Sequence, residues 1–162
     1  MRISIGSDHR GVEIKGAITT LLASLGHQVS DEGPCDSGQA VDYPDMAATV
    51  AGKVSTRDAD RGILVCGTGI GMAITANKYP GVRAAVCDSL PLARLSRQHN
   101  DVNVLCLSGD LPESGADEHL RHVGQIVQTW LETPFEGGRH ARRVDKITHY
   151  EQAAIQQGCG RK

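Results

Sequence analysis

The chain has no marked charge excess, no paired cysteines and no long hydrophobic run, and each lack removes a class of function. A formal net charge of −2 over 162 residues gives no global attraction to nucleic acid or to an anionic membrane. No uninterrupted apolar span reaches membrane length, and Met1 leads straight into the strand-like Ile3-Ser4-Ile5 without a basic and then apolar leader, so the expected location is cytoplasmic. The five cysteines, at positions 35, 66, 87, 106 and 159, are odd in number, scattered and free of any Cys-x-x-Cys pair. That pattern fits free thiols in a reducing compartment better than a disulfide framework or a zinc knuckle. The histidines show no paired spacing with carboxylates or thiols, so no metal is expected. With no repeat, low-complexity tract or linker, the length fits a single domain over 1–157, followed by a disordered tail at 158–162.

What is present is an alternation of strand-like and helix-like segments. Arg2 to Gly6 is a short β-branched run, and Ile14, Ala17, Ile18, Leu21, Leu22 and Leu25 then form one apolar helical stripe that Gly26 stops. His27 to Ser30, Gly62 to Val65, Val82 to Cys87 and Val102 to Leu107 supply four more strands. Between and after them lie helices marked by Met46 to Val54, Met72 to Asn77, Leu92 to His99, Leu120 to Leu131 and His140 to Gln156. Strands that read as continuous apolar runs, each followed by a helical stripe, imply a sheet buried on both faces. The expected fold is therefore α/β: three layers, α/β/α, Rossmann-like and doubly wound about a mostly parallel five-stranded sheet. Such sheets bind ligands outside the carboxyl ends of the strands, where Asp8, His9, Cys66 to Gly71, Asp88 and Ser108 to Asp110 would gather.

The most informative of these segments is Cys66-Gly67-Thr68-Gly69-Ile70-Gly71, a thiol at the point where a buried strand opens into a glycine-rich turn. Alternate glycines permit positive φ and let successive backbone amides converge on an anion, and a following helix N-terminus reinforces that pocket. Amides beside a thiol favour the thiolate, which makes Cys66 a candidate base. The run lacks the spacing of a dinucleotide fingerprint and the Gly-Lys-Ser/Thr ending of a P-loop, so taken alone it also fits a plain turn around a small buried side chain. Asp8 could cap the next helix, and His99-Asn100 could end one. Arg139 and Arg143, four apart on one helical face, could hold a phosphate or form a solvated basic face.

Taken together, Gly6-Ser7-Asp8-His9-Arg10-Gly11, Asp42-Tyr43-Pro44, Cys66 to Gly71 with Ala76-Asn77-Lys78, Ser96 to Asn100, and Glu136 to Arg143 resemble the ribose-5-phosphate isomerase type B family, which includes the galactose-6-phosphate isomerase subunits. The resemblance runs from Met1 to about Tyr150. It implies an aldose–ketose isomerase that needs no cofactor or metal, interconverting ribose 5-phosphate and ribulose 5-phosphate through an enediol. In that frame His99 opens the sugar ring, Cys66 carries the proton between C2 and C1, and Thr68 with the amides of Gly67, Gly69, Ile70 and Gly71 stabilises the oxyanion. Asp8, Tyr43 and Asn100 orient hydroxyls, while His9, Arg139 and Arg143 take the phosphate. The resemblance also implies a homodimer, or a dimer of dimers, in which each pocket is completed by the neighbouring subunit.

One position departs from the pattern. Where the family commonly carries a phosphate-binding arginine after the fifth strand, this chain has Asp110; either Arg10 supplies the missing charge or Asp110 points away. The sugar is therefore less fixed than the reaction, with allose, galactose and tetrose phosphates as alternatives. A non-catalytic sugar-phosphate or nucleotide-binding module, with Cys66 merely packing, is the competing reading. Nucleic-acid binding through Arg139 to Arg143 is disfavoured because the basic cluster is short and lacks interleaved aromatics.

Overall fold

The computed structural model describes residues 1–110 and 115–159. Five strands, β1 (Arg2–Ser7), β2 (Gln28–Asp31), β3 (Arg61–Cys66), β4 (Ala84–Val86) and β5 (Val104–Ser108), form one sheet in the order β2-β1-β3-β5-β4, parallel at every pairing. Parallel neighbours need crossovers, and the helices α1 (Val12–Ser24), α2 (Tyr43–Ser55), α3 (Ile70–Ala76), α4 (Leu90–Asn100) and α5 (Ala116–Glu132) cover both faces. Ile63 and Val65 of β3 pack with Ile14, Ile18 and Leu22 of α1 and Val123, Ile126 and Trp130 of α5. Their neighbours Leu64 and Cys66 point to the opposite face, among Ala47, Val50 and Val54 of α2 and Met72 of α3. This is the three-layer, doubly wound arrangement expected of apolar strands that alternate between two buried sides. A last helix, α6 (Arg139–Cys159), lies outside these layers against α4.

Right-handed crossovers explain which helix lies where. The chain moves one way along the sheet from β1 and β4, and the other way from β2 and β3, which sends α1 and α4 to one face and α2 and α3 to the other. The direction of travel reverses between the neighbouring strands β1 and β3. The crevice outside their carboxyl ends is where such a sheet has room for a ligand, and it is flanked by Asp8 to Arg10 and by Cys66 to Gly71.

Local chemistry trims the elements read from sequence. The apolar run Val82 to Cys87 yields only three ladder residues, because the Val82 N–H turns back to the Tyr79 carbonyl at 3.1 Å and the Arg83 N–H is taken by the Asn103 side chain at 2.8 Å. At the other end α6 continues through Cys159, two residues into the segment expected as a tail, while 160–162 lie outside the described residues. Among the described residues no helix is long and apolar enough to cross a membrane.

Candidate active site

The carboxyl rim assembles much of the expected site. Cys66, the last residue of β3, is buried, and its Sγ accepts the Gly69 N–H at 3.2 Å, which places a backbone donor directly on the sulfur. Gly69 sits at φ +74° as the residue that starts α3, and a side chain there would meet the Leu107 carbonyl oxygen at 3.1 Å. Gly69→Ala is accordingly expected to destabilise the protein by about 1–3 kcal/mol, read as a lower denaturant midpoint with an unchanged slope. The other two glycines serve a different purpose from the positive φ expected for the run. Both keep φ outside the left-handed region; Gly67 leaves space for the Arg10 guanidinium, whose Cζ would lie 2.7 Å from an added Cβ, and Gly71 leaves space for the Tyr43 ring at 2.5 Å.

Of the amides expected to hold an oxyanion, two are already engaged: Gly69 with the thiol and Ile70 with the Thr68 Oγ1 at 3.3 Å. Among the described residues this leaves the N–H groups of Gly67, Thr68 and Gly71 as the open donors. Asp8 does not cap α1, whose first cap is Gly11 without a side-chain bond. It is buried instead, and its Oδ1 accepts the N–H groups of Arg10 at 2.9 Å and Gly11 at 3.2 Å, fixing the turn that carries His9. His9 keeps a buried Nδ1 without a hydrogen-bond partner among the described residues, an unpaired polar atom on this rim. Cys106 faces the same layer as Cys66 from β5, but burial pushes its thiol far up, so it stays protonated and inert.

His99, Asn100, Arg139 and Arg143 lie at the opposite end of the sheet. A helix joining parallel strands runs back against them, so α4 ends beside the amino termini of β4 and β5: the Val102 N–H donates to the Ser96 carbonyl, and Arg83 Nε donates to the Asn100 and Asp101 carbonyls at 3.1 and 2.9 Å. Five strand residues at about 3.3 Å each separate this amino rim from Cys66 by roughly 15 Å. One chain therefore does not bring Cys66 and His99 together.

The amino rim holds a cluster that spacing did not reveal. The His99 and His140 rings stack with centroids 4.1 Å apart and planes within 5°, and ligand atoms of His99, Glu136 and His140 all lie within 4.8 Å of one another. Glu136 and His140 are four apart in sequence, but His99 joins them only through the packing of α6 on α4. Because the rings are parallel, their in-plane lone pairs run side by side and do not converge on one point, so a shared metal would require one ring to swing. Burial, with the neighbouring His99, Arg139 and Arg143, lowers the His140 pKa against the opposing pull of Glu136. His140 thus resists protonation.

Comparison with known proteins fits this geometry. A family model described as Ribose/Galactose Isomerase matches residues 3–147. The chain is 43% identical over 151 residues to ribose-5-phosphate isomerase B of Escherichia coli, covering 93% of this chain and 97% of that protein. It is 38% identical over 153 residues to a D-erythrulose-4-phosphate isomerase of Pectobacterium atrosepticum, covering 93% and 95% of the two chains. A crystal structure of ribose-5-phosphate isomerase B from Mycoplasma genitalium with bound ribulose 5-phosphate superposes with a TM-score of 0.85 at 44% identity, over 93% of this chain and 96% of that one.

Proposed function

We propose, from the premise that the chain belongs to the ribose/galactose isomerase family and is a sugar-phosphate isomerase, that it interconverts D-ribose 5-phosphate and D-ribulose 5-phosphate in the cytoplasm as a single-domain homodimer. The observation that carries the reading is the Cys66 thiol at the β1–β3 switch crevice, bonded by the Gly69 amide and flanked by open backbone donors. His99 opens the furanose by passing a proton from O1 to the ring oxygen. Cys66 as thiolate then removes the C2 proton of the aldehyde, and the charge that moves onto O1 is met by the amides of Gly67, Thr68 and Gly71. The thiol returns its proton to C1 while the O2 proton transfers to O1, which yields the ketose with atoms and charge balanced. The Thr68 hydroxyl, already turned toward the Ile70 amide, shapes this donor set. Asp8 and Tyr43 orient hydroxyls with Asn100, and His9, Arg139 and Arg143 hold the phosphate.

The separation of the two rims supports a site shared between two copies, the carboxyl rim of one supplying Cys66 and the amino rim of its partner supplying His99, Asn100, Arg139 and Arg143. The direct test is a side-by-side assay of ribose, allose, galactose and tetrose phosphates in the aldose-to-ketose direction. Ribose 5-phosphate is expected to give the highest kcat/KM; no turnover of it alongside brisk turnover of another sugar overturns the substrate assignment. The similarity to a tetrose-phosphate isomerase makes a four-carbon substrate the main competitor.

A further inference from the structure

Asp110 neither points away nor leaves Arg10 free. Both of its carboxylate oxygens lie 2.6 Å from Arg10 Nη2, while the remaining face of the guanidinium lies against Gly67, next to the catalytic thiol. The pair spans two openings on the carboxyl rim. One, of about 580 Å³, is lined by His9, Arg10, Ser37 and Asp110; the other, of about 390 Å³, by Thr68, Asp88, Ser108 and Asp110. Among the described residues lining one or the other, Arg10 is the only lysine or arginine, whereas Glu13, Asp88 and Asp110 are acids. A guanidinium whose Nη2 is taken by a carboxylate cannot offer that nitrogen to a phosphate, and a carboxylate at this lip repels a dianion while accepting bonds from hydroxyls.

We propose that Asp110 is a specificity-determining residue that cancels the charge of Arg10, so that the phosphate is held by His9 with the cations of the opposite rim and Arg10, though beside it, adds no contact. The proposal rests on the isomerase reading above. Its consequence is a phosphate position that lies near Arg10 without drawing on its charge.

Four forms of the full-length enzyme separate the possibilities: wild type, Arg10→Gln, Asp110→Asn and the double variant, each assayed for KM and kcat with ribose 5-phosphate and for the affinity of inorganic phosphate by calorimetry. Because both side chains are half exposed, the substitutions leave the core untouched. Removing one negative charge close to a dianion is expected to tighten phosphate and lower KM by about tenfold in Asp110→Asn, with kcat within about twofold and the gain lost at high salt. Arg10→Gln alone is expected to change KM by less than about twofold, and in the double variant to erase the gain, since only a released Arg10 binds phosphate. An Arg10→Gln enzyme with KM raised about tenfold would show that Arg10 already holds phosphate and would overturn the proposal. So would an Asp110→Asn enzyme with unchanged phosphate affinity. If no form turns over ribose 5-phosphate, the substrate reading fails, while the calorimetric order still decides the role of Asp110.

Discussion

Cys66→Ala is expected to lower kcat by about a thousandfold or more while ribulose 5-phosphate still binds, because a positioned base that moves the proton in both half-reactions contributes about 10²–10⁴-fold at each transfer. The side chain is small and buried against Leu64, Met72 and Cys106, so its loss leaves a cavity of about one sulfur and a folded protein. The measurement pairs turnover with calorimetric binding of ribulose 5-phosphate. Collapse of kcat with retained binding identifies Cys66 as the base; undiminished turnover rules it out and favours the binding-module reading. Cys106→Ala supplies the internal control. Its thiol lies in the same apolar layer yet is held protonated by burial, so turnover is expected to survive its removal.

The layer structure was legible because its cause is local: a strand buried on both sides must be apolar at every position, as Ile63, Leu64 and Val65 are. The place of Cys66 at the end of β3 was legible for a related reason, since the apolar run stops there at a glycine turn; its role was not, because a thiol there also fits a small buried side chain. The individual tasks of those glycines were not legible. That Gly67 makes room for Arg10 and Gly71 for Tyr43 depends on which loops the strand order places beside β3. The Arg10–Asp110 pair joins residues a hundred positions apart, and it forms because β1 and β5 both flank β3. The His99–His140 stack likewise arises from α6 folding back onto α4. Sequence patterns report burial and backbone conformation; they are silent on which distant side chains a topology brings face to face.

The second large effect concerns the division of the site between copies. Ile70 and Ile74, one turn apart on α3, are 56% and 59% exposed, and Leu92 and Leu95 on α4 with Ile147, Tyr150 and Ile155 on α6 extend the apolar surface around the edge strand β4. Burying these side chains against a second copy stabilises a dimer, at about 25 cal/mol for each Å² removed from water. If that dimer places the Cys66 turn of one chain against the His99 stack of the other, two inactive enzymes should rescue each other. Cys66→Ala keeps an intact amino rim and His99→Asn an intact carboxyl rim, so a mixed dimer contains one doubly damaged site and one complete site. Statistical re-pairing of equal amounts makes half the dimers mixed, and activity is expected to return to about a quarter of wild type. The assay is turnover after co-refolding, or, with about half of wild type expected, turnover of the mixed dimer separated by two different tags after co-expression. Activity no higher than that of either parent would mean that both groups act within one chain, which the roughly 15 Å between the rims opposes.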